Sequence, residues 1–142
     1  MDKKFVLDTS ALFAFIQDEG GADRVQRILV AAQNGECSAY ISFISLAELL
    51  YVTWQEEGES PAQALVAQVK SLPLSIIESE ERLTLAAGRI KASFRLSLGD
   101  AFIAASAQIV SGTLVHKDPE FTPLSGVVLL EELPFKAKKS KR

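Results

Sequence analysis

The sequence predicts an α/β protein, a three-layer α/β/α fold around a short parallel sheet of four to five strands. Three observations predict it. Short apolar or β-branched runs alternate with longer segments whose apolar residues recur at helical spacing, the signature of strand–helix–strand units. The strand runs carry no polar alternation, which suits parallel strands buried on both faces. The 142 residues, 48% hydrophobic and 23% charged, fit a single globular domain.

Element by element, Phe5-Val6-Leu7 reads as the first strand and ends at Asp8. Ser10 to Gln17 reads as a helix stopped by Gly20-Gly21. Ala22, Val25, Ile28, Leu29 and Ala32 mark the next, which Asn34-Gly35 closes. Ser38 to Phe43, with Tyr40, Ile41 and Phe43, is the second strand. An apolar helix is expected from about Leu46 to Gln55, ending by Gly58, and Ser60-Pro61 is expected to open another, cap residue then proline. Its apolar set is Ala64, Leu65 and Val69. Leu74 to Ile77 is the third strand, and Ser79-Glu80-Glu81 starts a helix carrying Leu83, Ala86, Ala87 and Ile90. A last helix runs from about Leu98 to Val110, before Gly112. Thr113 to Val115 is the fourth strand and Val127 to Leu130 the fifth. Crossovers between such parallel strands are right-handed.

Net charge is −3, unevenly spread: Lys136, Lys138, Lys139, Lys141 and Arg142 make five of the last seven residues basic. We divide the chain into a domain over 1–134 and a basic, disordered tail over 135–142. The other ten basic residues stand against 18 acidic ones, leaving a body charge of −8 that on average repels polyanions. Acids gathered at one metal site would explain part of that excess. A single cysteine, Cys37, allows no internal disulfide and gives no sign of an oxidising compartment. Asp8 interrupts the first apolar run too early for a signal peptide, and no run approaches the roughly 20 apolar residues of a membrane span. The expectation is a soluble cytoplasmic protein.

The chemistry lies in where the carboxylates fall. Asp8 ends the first strand. Glu48 follows the second, in the expected first turn of its helix. Asp100 sits in the first turn of the helix that feeds the fourth strand, and Asp118 follows that strand. Ligands of open parallel sheets gather outside the carboxyl ends of the strands, so this fold can draw all four acids to one edge. Capping is the duller reading: Ser45-x-x-Glu48 and Ser97-x-x-Asp100 have capping-box spacing, and Asp8 and Asp118 suit N-cap positions. Four converging acids without basic partners would repel one another unless a cation or protons relieved them. An all-oxygen set suits Mg²⁺ or Mn²⁺ better than zinc, since Cys37 and His116 are each alone in their class. Metal-assisted phosphodiester hydrolysis is the natural chemistry of such a set.

Taken in order, Phe5-Val6-Leu7-Asp8-Thr9-Ser10, Ser45-Leu46-Ala47-Glu48, Leu98-Gly99-Asp100-Ala101-Phe102-Ile103-Ala104 and Asp118-Pro119-Glu120-Phe121 resemble the PIN-domain ribonucleases. The likeness is strongest to the VapC toxins of bacterial and archaeal toxin–antitoxin pairs, and covers residues 5 to about 121. The resemblance implies a PIN-like fold and a homodimeric endoribonuclease that needs Mg²⁺ or Mn²⁺, cleaves RNA and is inhibited by a small antitoxin near its active site. It implies Asp8 and Asp100 as direct metal ligands, Glu48 as a ligand directly or through water, and Asp118 as the fourth acid of the catalytic set. Thr9 and Ser10 would supply supporting hydrogen bonds.

Other residues admit two readings. His116 suits a general base or, more simply, a structural role at a strand end. Arg82, Arg89, Lys91 and Arg95 suit RNA phosphates or a solvated helix face. On the helix carrying Glu48, Leu46, Leu49, Leu50 and Thr53 mark one face, while Ala47, Tyr51 and Trp54 mark another. That second face would pack in the core or offer Tyr51 and Trp54 to a dimer or antitoxin partner. Among rival functions, a haloacid-dehalogenase-type phosphatase wants a second Asp at position 10, which is Ser. A phospho-receiver wants an acidic neighbour for Asp8, and none is there. A stand-alone PIN ribonuclease of RNA processing and a non-catalytic PIN-like scaffold remain as alternatives.

Overall fold

The structure, a computed structural model, describes residues 3–134; the basic tail lies outside them. Five parallel strands form one sheet in the order β3-β2-β1-β4-β5: β1 (Lys3–Leu7), β2 (Cys37–Ser42), β3 (Ser75–Ile77), β4 (Thr113–His116) and β5 (Leu129–Glu132). Helices α1 (Thr9–Ile16) and α2 (Ala22–Gln33) join β1 to β2, and α3 (Phe43–Glu57) and α4 (Glu59–Lys70) join β2 to β3. Helices α5 (Glu81–Ser93) and α6 (Leu98–Val110) join β3 to β4, and a 3₁₀ helix over Pro119–Leu124 precedes β5.

Strand alternation divides the core into two layers. Phe5, Leu7 and Val115 point into one layer with Leu12, Ile28 and Leu49 of the first three helices. Val6 and Leu114 point into the other with Leu83, Ile90 and Ile103 of α5 and α6. The expected three-layer arrangement is therefore present. Every buried apolar strand residue is covered, each contributing about 1.5–3 kcal/mol when a side chain of this size is fully buried.

Topology positions the site. From β1 the chain builds outward to β3, then crosses to start again at β4 on the other side of β1. The carboxyl ends of β1 and β4 thus flank a topological switch point, where open α/β sheets bind ligands. Helix α6 leads into β4, so its N-terminus stands over that same edge.

Three element starts differ from expectation in ways that matter to the site or to the sheet edge. α3 begins at Phe43, because Ser42 has extended backbone and its hydroxyl accepts from the Ile44 N–H at 3.4 Å. Phe43 packs edge-on against Phe102, ring centroids 5.4 Å apart, and this tertiary contact overrides its preference for a strand. Glu48 is consequently in the second turn of α3, not the first, and Ser45 is buried rather than capping. α4 begins at Glu59 behind Gly58, whose φ of 105° replaces the expected Ser60 cap and places Pro61 third in the helix. β5 starts two residues late, at Leu129, because the N–H groups of Val127 and Val128 both donate to the Leu124 carbonyl at 2.9 Å and prolong the turn.

Beyond the strand, the Leu133 N–H donates to the His116 carbonyl at 2.7 Å. The Arg24 guanidinium clasps both oxygens of Glu131 at 2.7 and 3.1 Å while lying over the Phe5 ring. These contacts fasten the edge strand to α2 and to the centre of the sheet. No helix of the described residues is long and apolar enough to cross a membrane.

Candidate active site

Asp8 directly follows β1 and is buried, 4% exposed. Its N–H continues the ladder to the Val115 carbonyl at 2.9 Å, which locks its backbone into the β1–β4 crevice. Its Oδ2 caps α1 by accepting from the Ser10 N–H at 3.1 Å, and it also accepts from the Ser10 hydroxyl. That hydroxyl in turn accepts from the Lys117 N–H at 3.0 Å, so one serine ties the first acid to the end of β4.

Glu48 reaches in from α3. Its Oε1 accepts from the Thr9 hydroxyl, which lies 2.9 Å from the buried Ser45 hydroxyl. Its Oε2 passes over the first turn of α6, at Gly99. Asp100 follows there, on the helix capped by Ser97, whose hydroxyl accepts the Asp100 N–H at 3.0 Å. Asp118 caps the 3₁₀ helix by accepting from the Glu120 N–H at 2.9 Å. One carboxylate oxygen from each of Asp100, Asp118 and Glu120 lies within 4.8 Å of the others.

Capping therefore accounts for two of the four acids read from the sequence, Asp8 and Asp118. For Asp100 half of the expected capping box is present, Ser97 as N-cap accepting the Asp100 N–H, while Glu48 lies beyond the first turn of its helix. The structure brings all four into one electrostatic neighbourhood and adds a fifth. Burial pushes the Asp8 carboxyl up to about 6, with the charges of Glu48 and Asp118 adding to the rise and the Ser10 hydrogen bonds opposing it. Burial also pushes Asp100 up to about 7, followed by the charges of Asp8, Asp118, Glu48 and Glu120. Neither ion pair among the described residues, Arg24–Glu131 or Lys117–Glu19, neutralises any of these acids.

His116 is turned away from this chemistry. It is 1% exposed, stacks edge-on against Phe121 at 5.2 Å, and its Nδ1 accepts from the Asp118 N–H at 3.2 Å. Burial holds its pKa below the ordinary value, so the neutral ring shapes the turn that presents Asp118. Arg82, Arg89, Lys91 and Arg95 are exposed on α5 and the loop after it. On α3, Leu49 and Thr53 are buried, whereas Tyr51 and Trp54 are 52% and 45% exposed, so their face is not core within this chain.

Two residues at the site carry no role in the sequence reading. Glu120 was visible only as part of the Asp118-Pro119-Glu120-Phe121 string, and a separation of two residues fixes no common face until the turn is known. Gly99 offers no side chain to notice. Its importance appears only when Glu48, 51 positions earlier, arrives beside it.

The donors fit a hard divalent cation. They are all carboxylate oxygens, three approach one another closely, and two have carboxyls raised first by burial and then by the neighbouring negative charges. Fold and site together define an α/β protein with an acidic centre at the switch point of a parallel sheet. The chain belongs to the PIN domain family, whose model matches residues 5–126. Among solved structures, it is similar to DNA-bound VapBC from Salmonella typhimurium, with 22% identity and a TM-score of 0.73, covering 93% of this chain and 98% of that one. VapBC2 from Rickettsia felis bound to a promoter DNA fragment gives 22% and 0.72, covering 92% and 99%. FitAcB from Neisseria gonorrhoeae gives 20% and 0.67, covering 89% and 96%. At these identities the likeness establishes the fold. Comparison with curated proteins gives no match.

Proposed function

We propose that the chain is a Mg²⁺- or Mn²⁺-dependent endoribonuclease and the VapC-like toxin of a toxin–antitoxin pair, acting in the cytoplasm as a homodimer. One observation carries the reading: at the sheet's switch point the carboxylates of Asp100, Asp118 and Glu120 crowd together within the field of Asp8 and Glu48, and neither ion pair among the described residues engages any of them. Family membership supports it, and the solved neighbours named as VapBC complexes support an antitoxin partner. The nuclease unit is residues 1–134, with 135–142 as a basic appendage.

In this reading Asp8, Asp100 and Asp118 hold the cation, with Glu120 beside the last two. When bound, the cation supplies a water of lowered pKa and offsets the charge that builds on the phosphate. Glu48, braced by Thr9, holds the cation directly or through a water that it orients and from which it accepts the proton. Ser10 fixes the Asp8 carboxylate by binding one of its oxygens. Unpaired RNA is the substrate, because its backbone can be splayed into a crevice that a duplex would not enter. The exposed Arg82, Arg89, Lys91 and Arg95 offer its phosphates a basic approach.

The test is cleavage of a single-stranded RNA by purified wild type and by Asp100→Asn, with both folds checked by circular dichroism. Wild type is expected to cut, and the variant to lose at least about 100-fold while remaining folded, a loss of the size that follows removal of a charge-stabilising group. Undiminished cleavage by Asp100→Asn would overturn the assignment.

A further inference from the structure

The carboxylate of Glu48 is held between two elements other than its own. On one side Oε1 takes the Thr9 hydroxyl of α1. On the other, Oε2 occupies space that a side chain at position 99 would fill: a Cβ built on Gly99 would stand 2.7 Å from it, well inside van der Waals contact. Its backbone is ordinary α-helix with no positive φ, and the next residue met after Glu48, through the Ser97 hydroxyl, would be an unstrained 3.9 Å away. In a helix, alanine is favoured over glycine by about 0.8–1 kcal/mol. The chain thus carries a poor helix former where a methyl group would strike the second-turn acid of α3.

We infer that Gly99 is a positioning residue: its missing side chain forms the slot through which Glu48 reaches over α6 to the acidic centre beside Asp100. The inference rests on the metal-site reading above and deepens it. The obstacle that alanine would raise is the far end of a flexible side chain, not backbone. Glu48 can therefore swing aside at little cost to the fold, but it leaves the position that Thr9 defines. Gly99→Ala separates the two roles that glycine might have. A structural glycine would lower stability when replaced, whereas a slot for Glu48 would leave the metal-free protein as stable or more so and weaken only what Glu48 serves.

The experiment uses full-length protein and Mn²⁺ alone as the probe. Mn²⁺ affinity is read by calorimetry, and the melting temperature is measured in EDTA. Gly99→Ala is expected to lower Mn²⁺ affinity about tenfold, the lower end of what disturbing a ligand's support costs, with a melting temperature in EDTA no lower than wild type. Glu48→Asp shortens the side chain and withdraws its carboxylate from position 99, so adding Gly99→Ala to it is expected to change the affinity by less than about twofold. Wild-type affinity in Gly99→Ala would overturn the inference. So would full additivity of the two substitutions, since a methyl acting elsewhere would not be masked by Glu48→Asp. Absence of Mn²⁺ binding by wild type would overturn the metal-site reading itself and the inference with it.

Discussion

Ser10 shows how one hydroxyl can support a site from beneath. It donates to Asp8 and accepts from the Lys117 N–H at 3.0 Å, so Ser10→Ala deprives both a carboxylate and a backbone donor of a partner. The expected cost is about 1–3 kcal/mol, read as a lower denaturant midpoint in metal-free protein. A change below about 0.5 kcal/mol would mean that water replaces the serine. Asp8→Asn should behave otherwise. Asparagine caps nearly as well as aspartate, and removing one of several repelling charges leaves the metal-free fold as stable or more stable while RNA cleavage is lost. At this scale the sequence marked the acids because each stands at a strand or helix end. It was silent on Glu120 and Gly99, which matter through neighbours that only folding brings near.

Helix α3 carries Glu48 in its second turn and an exposed aromatic face beside it. Tyr51 and Trp54 project from it into solvent, and Trp54 lies roughly 9 Å along the axis from Glu48. A partner anchored on these rings would have the acidic centre within reach of a basic side chain. Trp54→Ala is expected to leave the monomer's stability within about 0.5 kcal/mol, as for other exposed positions. It should weaken self-association or antitoxin binding more than RNA cleavage. Sedimentation and a cleavage assay on the same variant decide, and unaltered association with normal inhibition would remove the face from the account. Strand and helix periodicity made most elements legible to within a residue or two. The start of α3 and the start of β5 were not, because Phe43 answers to Phe102 across the fold and Val127-Val128 to a carbonyl of the preceding turn. Neither contact leaves a trace in local pattern.

The whole molecule concentrates negative charge where its sheet changes direction, and its stability should depend on pH accordingly. The Asp8 and Asp100 carboxyls ordinarily titrate near 3.8 but reach about 6 and about 7 when folded. Below 3.8 both are protonated, folded or not, and their contribution to stability is fully present. As pH rises through about 6 and about 7, the folded protein must give up protons that the unfolded chain has already lost, and that contribution disappears. Without metal, Asp100→Asn should therefore gain stability relative to wild type between pH 4 and 7, seen as a widening difference in melting temperature. A difference that stays constant across that range would mean that Asp100 is not strained in the fold. The fold class was legible because burial on both faces of a parallel sheet writes itself into short apolar strands. The convergence of the acids was legible only as a possibility of that topology, and the strand order made it particular by setting β1 beside β4.

The most direct test of the central claim is a titration of metal-free protein with Mg²⁺ or Mn²⁺, following cleavage of a single-stranded RNA and the melting temperature together. Both should rise with the same midpoint, cleavage should vanish in excess EDTA and return when metal is restored, and Asp100→Asn should show neither response. Full cleavage by the purified wild type in excess EDTA would contradict the account.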